Sequence, residues 1–80
     1  MDREKLIRRL MATFLEELPE RVGDLNRDLL VLEKGPADPG ALLDDLFRSV
    51  HGLKGAARSV GVSLVEAACH RIEGLLSDLR

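Results

Sequence analysis

Leu43-Asp44-Asp45-Leu46-Phe47-Arg48-Ser49-Val50-His51-Gly52-Leu53-Lys54-Gly55-Ala56-Ala57-Arg58 is the stretch that decides the fold. Its apolar members Leu43, Leu46, Phe47, Val50, Leu53 and Ala57 recur by threes and fours, the period that lays side chains along one face of an α-helix. His51 lies on the flank of that stripe, about a right angle from its centre at about 100° per residue. Lys54 and Arg58 follow it at i+3 and i+7, on the same side of the helix. No acidic residue falls between Arg48 and Arg58. Gly52 and Gly55 each cost a helix about 1 kcal/mol against alanine, which suggests that something approaches the backbone closely there.

Working outward, Asp38 before Pro39 is an N-cap followed by a first-turn proline, so this helix runs from about Pro39 to Arg58. The cluster Gly35-Pro36-Ala37-Asp38-Pro39-Gly40 is a loop on turn chemistry alone. Before it, Leu6, Leu10, Phe14, Leu18, Val22, Leu25, Leu29 and Leu32 step along a second amphipathic helix from about Arg3 to Lys34, capped by Asp2 and stopped by Gly35. Pro19 predicts a kink there, or a break into two helices. After Val60-Gly61-Val62, a third helix is expected from about Leu64 to Leu79. Ser63-Leu64-Val65-Glu66 has the capping-box pattern. Leu64, Val65, Ala68, Ile72, Leu75, Leu76 and Leu79 form its expected buried stripe, with Cys69 at the core margin and His70 and Glu73 on the other side.

Eighty residues make one small domain, residues 1–80, whose core is marginal unless its helices are long and well patterned. Phe14 and Phe47 are the only aromatic residues, which suits a leucine-packed bundle and argues against a stacking platform for single-stranded nucleic acid. A net charge of −2 predicts no bulk attraction to nucleic acid or membrane. One cysteine excludes an internal disulfide framework and a multi-cysteine zinc site. No apolar run approaches the roughly 20 residues that span a bilayer, and Met1-Asp2-Arg3-Glu4-Lys5 does not open a signal peptide. A cytoplasmic location is the expectation.

Leu46-Phe47-Arg48-Ser49-Val50-His51-Gly52-Leu53-Lys54-Gly55-Ala56-Ala57-Arg58-Ser59-Val60-Gly61 resembles the phosphorylated-histidine helix of histidine phosphotransfer (HPt) domains, most closely the N-terminal domain of CheA-type chemotaxis kinases. His70-Arg71-Ile72-Glu73-Gly74-Leu75-Leu76 carries the second half of the likeness. The resemblance is specific from about Leu46 to Leu76 and looser from Phe14 to Lys34. It implies an all-α, up-down antiparallel bundle and a fragment of a larger multidomain kinase. The family's bundle has at least four helices. Here the fourth is expected to be missing, or supplied by the segment before Pro19 or by another chain, with dimerisation or helix exchange as a consequence.

The resemblance also implies the site. His51 is the phosphoacceptor, Glu73 accepts a hydrogen bond from its Nδ1, and His70 plays a supporting part. A histidine flanked by cations is a good place to put a phosphoryl group. Lys54 is suited to stabilise charge on the transferring oxygens, with Arg58 one turn further as an accessory. Gly52 and Gly55 would let a partner close over the histidine. The chain has no Gly-rich phosphate loop, no metal site and no cofactor site of its own. ATP and Mg²⁺ are therefore expected from an ATP-binding kinase domain and a response-regulator receiver domain. The alternative is a helical adaptor or dimerisation domain without phosphotransfer, because a helical histidine beside an apolar stripe is ordinarily structural.

Overall fold

The computed structural model describes residues 2–80 and contains three helices and no strand among them. Helix α1 spans Arg3–Glu33, α2 Pro39–Ser59 and α3 Ser63–Leu79. Asp2 caps α1 by accepting from the Glu4 amide at 3.0 Å. Asp38 caps α2 by accepting from the Ala41 amide at 3.1 Å, with Pro39 in the first turn. Both connections turn on a glycine in the left-handed region, Gly35 (φ 78°) and Gly61 (φ 76°), where a Cβ would be strained. Short links of this kind set consecutive helices antiparallel.

Helix α2 is the spine. Leu46, Val50 and Ala57 are essentially inaccessible, and Leu43 and Leu53 nearly so. Burying side chains the size of leucine or valine contributes roughly 1.5–3 kcal/mol each. Against this stripe α1 brings Phe14, with Met11, Leu18, Leu25 and Leu32 packed around it, and α3 brings Cys69 and Leu76. Helices α1 and α3 both pack on α2, yet nowhere come within 8 Å of each other, Cα to Cα. Between them lies an open apolar groove of about 340 Å³, floored by Leu46, Val50 and Leu53 and walled on either side by residues such as Val22, Leu29, Leu64 and Ile72.

Four expectations are corrected. Pro19 does not split α1, which is a single helix of 31 residues. Pro19 and Leu15 are both exposed, so the carbonyl that loses its intrahelical donor is on the water side. The segment before Pro19 therefore does not return as a fourth element. It continues α1, with Leu6, Ile7 and Leu10 exposed. The capping box at Ser63 does not form: Val62 is the N-cap and contributes no side-chain bond, because the Gly61 turn delivers Ser63 already inside the helix. The buried stripe of α3 is also rotated from the expected one. Cys69, Glu73 and Leu76 are buried, with Val65 half-buried, whereas Leu64, Ala68, Ile72, Leu75 and Leu79 are exposed. Cys69 belongs to the core itself at 3% exposure, and burial, reinforced by the Glu73 charge, pushes its thiol pKa up.

Candidate functional site

The rotation of α3 sets up the site. Turning the Cys69–Glu73–Leu76 face onto α2 brings a carboxylate 22 residues away in sequence against His51. His51 Nδ1 donates to Glu73 Oε2 at 2.6 Å. Lys54, one turn along α2, donates from Nζ to the other oxygen, Oε1. Each oxygen of a side chain only 10% exposed thus has its own donor. That is the condition under which a buried carboxylate stays charged. The Lys54 hydrogen bond, then that from His51, hold the Glu73 pKa below the usual carboxylate value and outweigh the desolvation that would raise it.

An ionised carboxylate only accepts hydrogen bonds, so the Nδ1 facing it carries the proton. Neutral imidazole then has its lone pair on Nε2. The His51 side chain is 65% exposed, so the ring is tethered at one nitrogen and open to solvent. This is the opposite of a histidine retained for packing, which would be enclosed.

His70 stands beside Glu73 on α3, with its Nδ1 3.9 Å from Oε1, and is almost wholly exposed. It neighbours the carboxylate without hydrogen-bonding to it. Lys54 is committed to Glu73 rather than standing free. Arg58 is drawn toward Glu66, Nε to Oε2 at 3.9 Å, and with Lys54 and His70 borders a shallow polar depression. Neither glycine is required by the fold. A Cβ on Gly52 would meet Arg21 Nη1 at an ordinary 3.8 Å, and one on Gly55 would meet nothing within 4 Å. Among the described residues, no group of three or more His, Cys, Asp or Glu side chains could hold a metal ion. Among the same residues no helix is long and apolar enough to cross a membrane.

Sequence reasoning missed one part of this neighbourhood. The half-buried Phe47 ring lies nearly parallel to the His51 imidazole, 7° between planes and 6.3 Å between centroids. The Arg80 guanidinium sits 5.0 Å from the centre of the same Phe47 ring, while Arg80 Nη2 forms an ion pair with Asp44 Oδ1 at 3.0 Å. The i, i+4 spacing of Phe47 and His51 could have signalled the stack. The Arg80 contact depends on how α3 ends against α2 and had no local signal.

The Hpt domain family model matches residues 9–80. The chain belongs to the Hpt family. Among its relatives are the chemotaxis protein CheA of Listeria monocytogenes, 37% identical over 71 residues, covering 89% of this chain and 11% of that protein. CheA of Treponema pallidum is 34% identical over 89% of the chain and 9% of its own length. The gliding motility regulatory protein of Myxococcus xanthus is 34% identical over 95% of the chain and 10% of its own length. This Hpt domain therefore spans about a tenth of the length of the curated relatives it matches. No solved structure matches it significantly.

Proposed function

We propose that this Hpt domain relays phosphoryl groups in chemotaxis-type signalling, accepting one on His51 Nε2 and passing it to an aspartate of a response regulator. The observation that carries this reading is the pairing of an exposed imidazole with a buried, ionised Glu73 on Nδ1. The Nε2 lone pair attacks the γ-phosphorus of ATP held by a separate kinase domain. The N–P bond forms as the P–O bond to the nucleotide breaks, and ADP leaves with that electron pair. Positive charge grows on the ring as Nε2 becomes bonded, and Glu73, already ionised and aligned, offsets it without rearranging. In the second step an aspartate oxygen of the receiver attacks the same phosphorus, and the N–P electron pair returns to the imidazole.

Lys54 holds the carboxylate in its charged form, and its remaining N–H donors can serve the transferring oxygens. His70 and Arg58 border the approach as accessory cations or donors. Mg²⁺ and nucleotide come with the partner domains, either within one longer kinase or from a separate chain, in the cytoplasm.

Incubation with an ATP-binding domain of a CheA-type kinase and ATP labelled at the γ-phosphate tests this. The expected product is an acid-labile, base-stable label, absent from His51→Gln. Label retained in that variant would reassign the acceptor. The open groove favours a second reading, a helical adaptor or a dimer of this domain; light scattering showing a monomer across concentrations would remove the dimer, and label on His51 would remove an adaptor without phosphotransfer.

A further inference from the structure

We infer that Phe47 is a positioning residue that sets the plane of the His51 ring, and that Arg80, anchored on Asp44, holds Phe47 for that task. The inference rests on the relay reading for its consequence, though not for its geometry. The Glu73 hydrogen bond fixes one point of the imidazole. A terminal ring torsion is soft, with a broad preference, and a side chain 65% exposed has few other walls to restrain it. The one aromatic surface beside it is Phe47, four residues back on the same helix and 7° from parallel. Centroids 6.3 Å apart at that angle describe an offset stack, within the range where aromatic rings attract.

The plane matters because the Nε2 lone pair lies in it. An electrophilic phosphorus must come along that direction, so rotating the ring turns the nucleophile away from the donor even with Nδ1 still bonded. Phe47 is itself half-buried, with part of its ring packed against the core and the rest open to a second restraint. Arg80, just past the end of α3, lies within cation–π range of the ring, and its 3.0 Å ion pair with Asp44 links it to the first half of α2. Asp44 and Phe47 are i, i+3 on α2, so the clamp grips the helix turn that presents the aromatic ring. Glu73 lies in α3 and Arg80 is the residue that caps its C-terminus. Helix α3 and its C-cap therefore supply the imidazole's hydrogen-bond partner and the brace for its stacking partner.

The test compares Phe47→Leu, Phe47→Tyr and Arg80→Gln in the 80-residue chain. Leucine keeps apolar bulk and removes the ring; tyrosine keeps both. In the unphosphorylated protein, NMR of the His51 ring reads stacking through its proton shifts and tautomer through its ¹⁵N shifts. Phe47→Leu is expected to move the ring-proton shifts toward those of free histidine while the Nδ1–H tautomer persists. Phosphorylation by a CheA-type ATP-binding domain should then slow about tenfold in kcat with KM little changed, the order expected from a modest misalignment of reacting groups. Phe47→Tyr should restore both readouts, and Arg80→Gln should shift the Phe47 ring protons and give a smaller loss of kcat. Wild-type His51 shifts in Phe47→Leu would overturn the inference, as would a KM change without a kcat change. If Phe47→Leu unfolds, wild-type His51 shifts and rate in Arg80→Gln overturn the clamp. A wild-type chain that accepts no phosphoryl group sinks the relay reading alone, because the stacking readout needs no transfer.

Discussion

Helix α3 faces two ways, and its two faces differ in how complete they are. Toward α2 it presents Cys69, Glu73 and Leu76, all buried, and the one buried charge has a donor on each oxygen. Among the described residues no buried side-chain polar atom there or elsewhere lacks a hydrogen-bond partner. Toward α1 it presents Leu64 and Ile72 across an open groove, with Leu64 82% exposed. The α2–α3 seam therefore carries the structure and the chemistry together, while the α1–α3 side contributes neither. A charged site placed at a finished seam keeps its geometry when the other side of the bundle changes.

The largest break of that contrast is expected at the seam. Leu46→Ala, at 1% exposure, should destabilise by about 3 kcal/mol, because the cavity opens where both flanking helices meet α2. For a small domain whose total stability is of the order of 5–15 kcal/mol, that is a large fraction. Leu64→Gln on the groove wall should shift stability by less than about 0.5 kcal/mol in the isolated monomer. Urea titrations of the two variants check the difference. Equal losses would mean that the groove is closed in solution.

Next comes the charge at the seam. Glu73→Gln keeps the shape but removes the carboxylate that holds Nδ1–H and offsets ring charge. It is expected to lower the phosphorylation rate about 10- to 100-fold, by analogy with the loss of a carboxylate that orients a metal-ligating histidine. Helical content by circular dichroism should be retained, and an unchanged rate would remove Glu73 from the mechanism. The same carboxylate gives a pH dependence. Its pKa is lower folded than unfolded, so its contribution is fully present above the ordinary carboxylate value of about 4.5. That contribution is lost as pH falls through the depressed folded value. Wild-type stability should therefore decline below about pH 4.5 more steeply than that of Glu73→Gln, as thermal melts across that range will show.

The two faces also differed in how plainly the sequence announced them. Helix α2 has one apolar stripe at a strict period, and every member of it is buried or half-buried. Helix α3 has apolar residues on two faces, and periodicity cannot say which one packs. The face that packs is the one bearing Glu73, whose carboxylate reaches His51 and Lys54 while Cys69 and Leu76 enter the core beside it. That pairing spans 22 residues and two helices, so it was visible only through likeness to the HPt pattern. Local signals worked where the physics is local, at the Asp2 and Asp38 caps and at Gly35. They failed at Ser63, where the preceding Gly61 turn chose the cap, and at Pro19, where an exposed carbonyl made an unbroken helix tolerable.

The smallest expected effect concerns Gly55, one residue past Lys54 on the site-bearing helix. A methyl there would meet nothing within 4 Å, and the backbone is ordinary helix, so alanine should fit without strain. Gly55→Ala should therefore stabilise the domain by roughly 0.4–1 kcal/mol through a less flexible unfolded chain and better helix propensity. In a domain of this size that raises the melting temperature by about 2–8 °C. A glycine retained where alanine would be more stable implies a use outside the fold, and the open space beside it leaves room for a partner backbone. The variant should then raise KM for phosphorylation by a CheA-type kinase domain, or for transfer to a receiver, while kcat stays near wild type. A higher melting temperature with KM unchanged in both reactions would show that no partner comes this close, and that the glycine in this part of α2 serves no docking purpose.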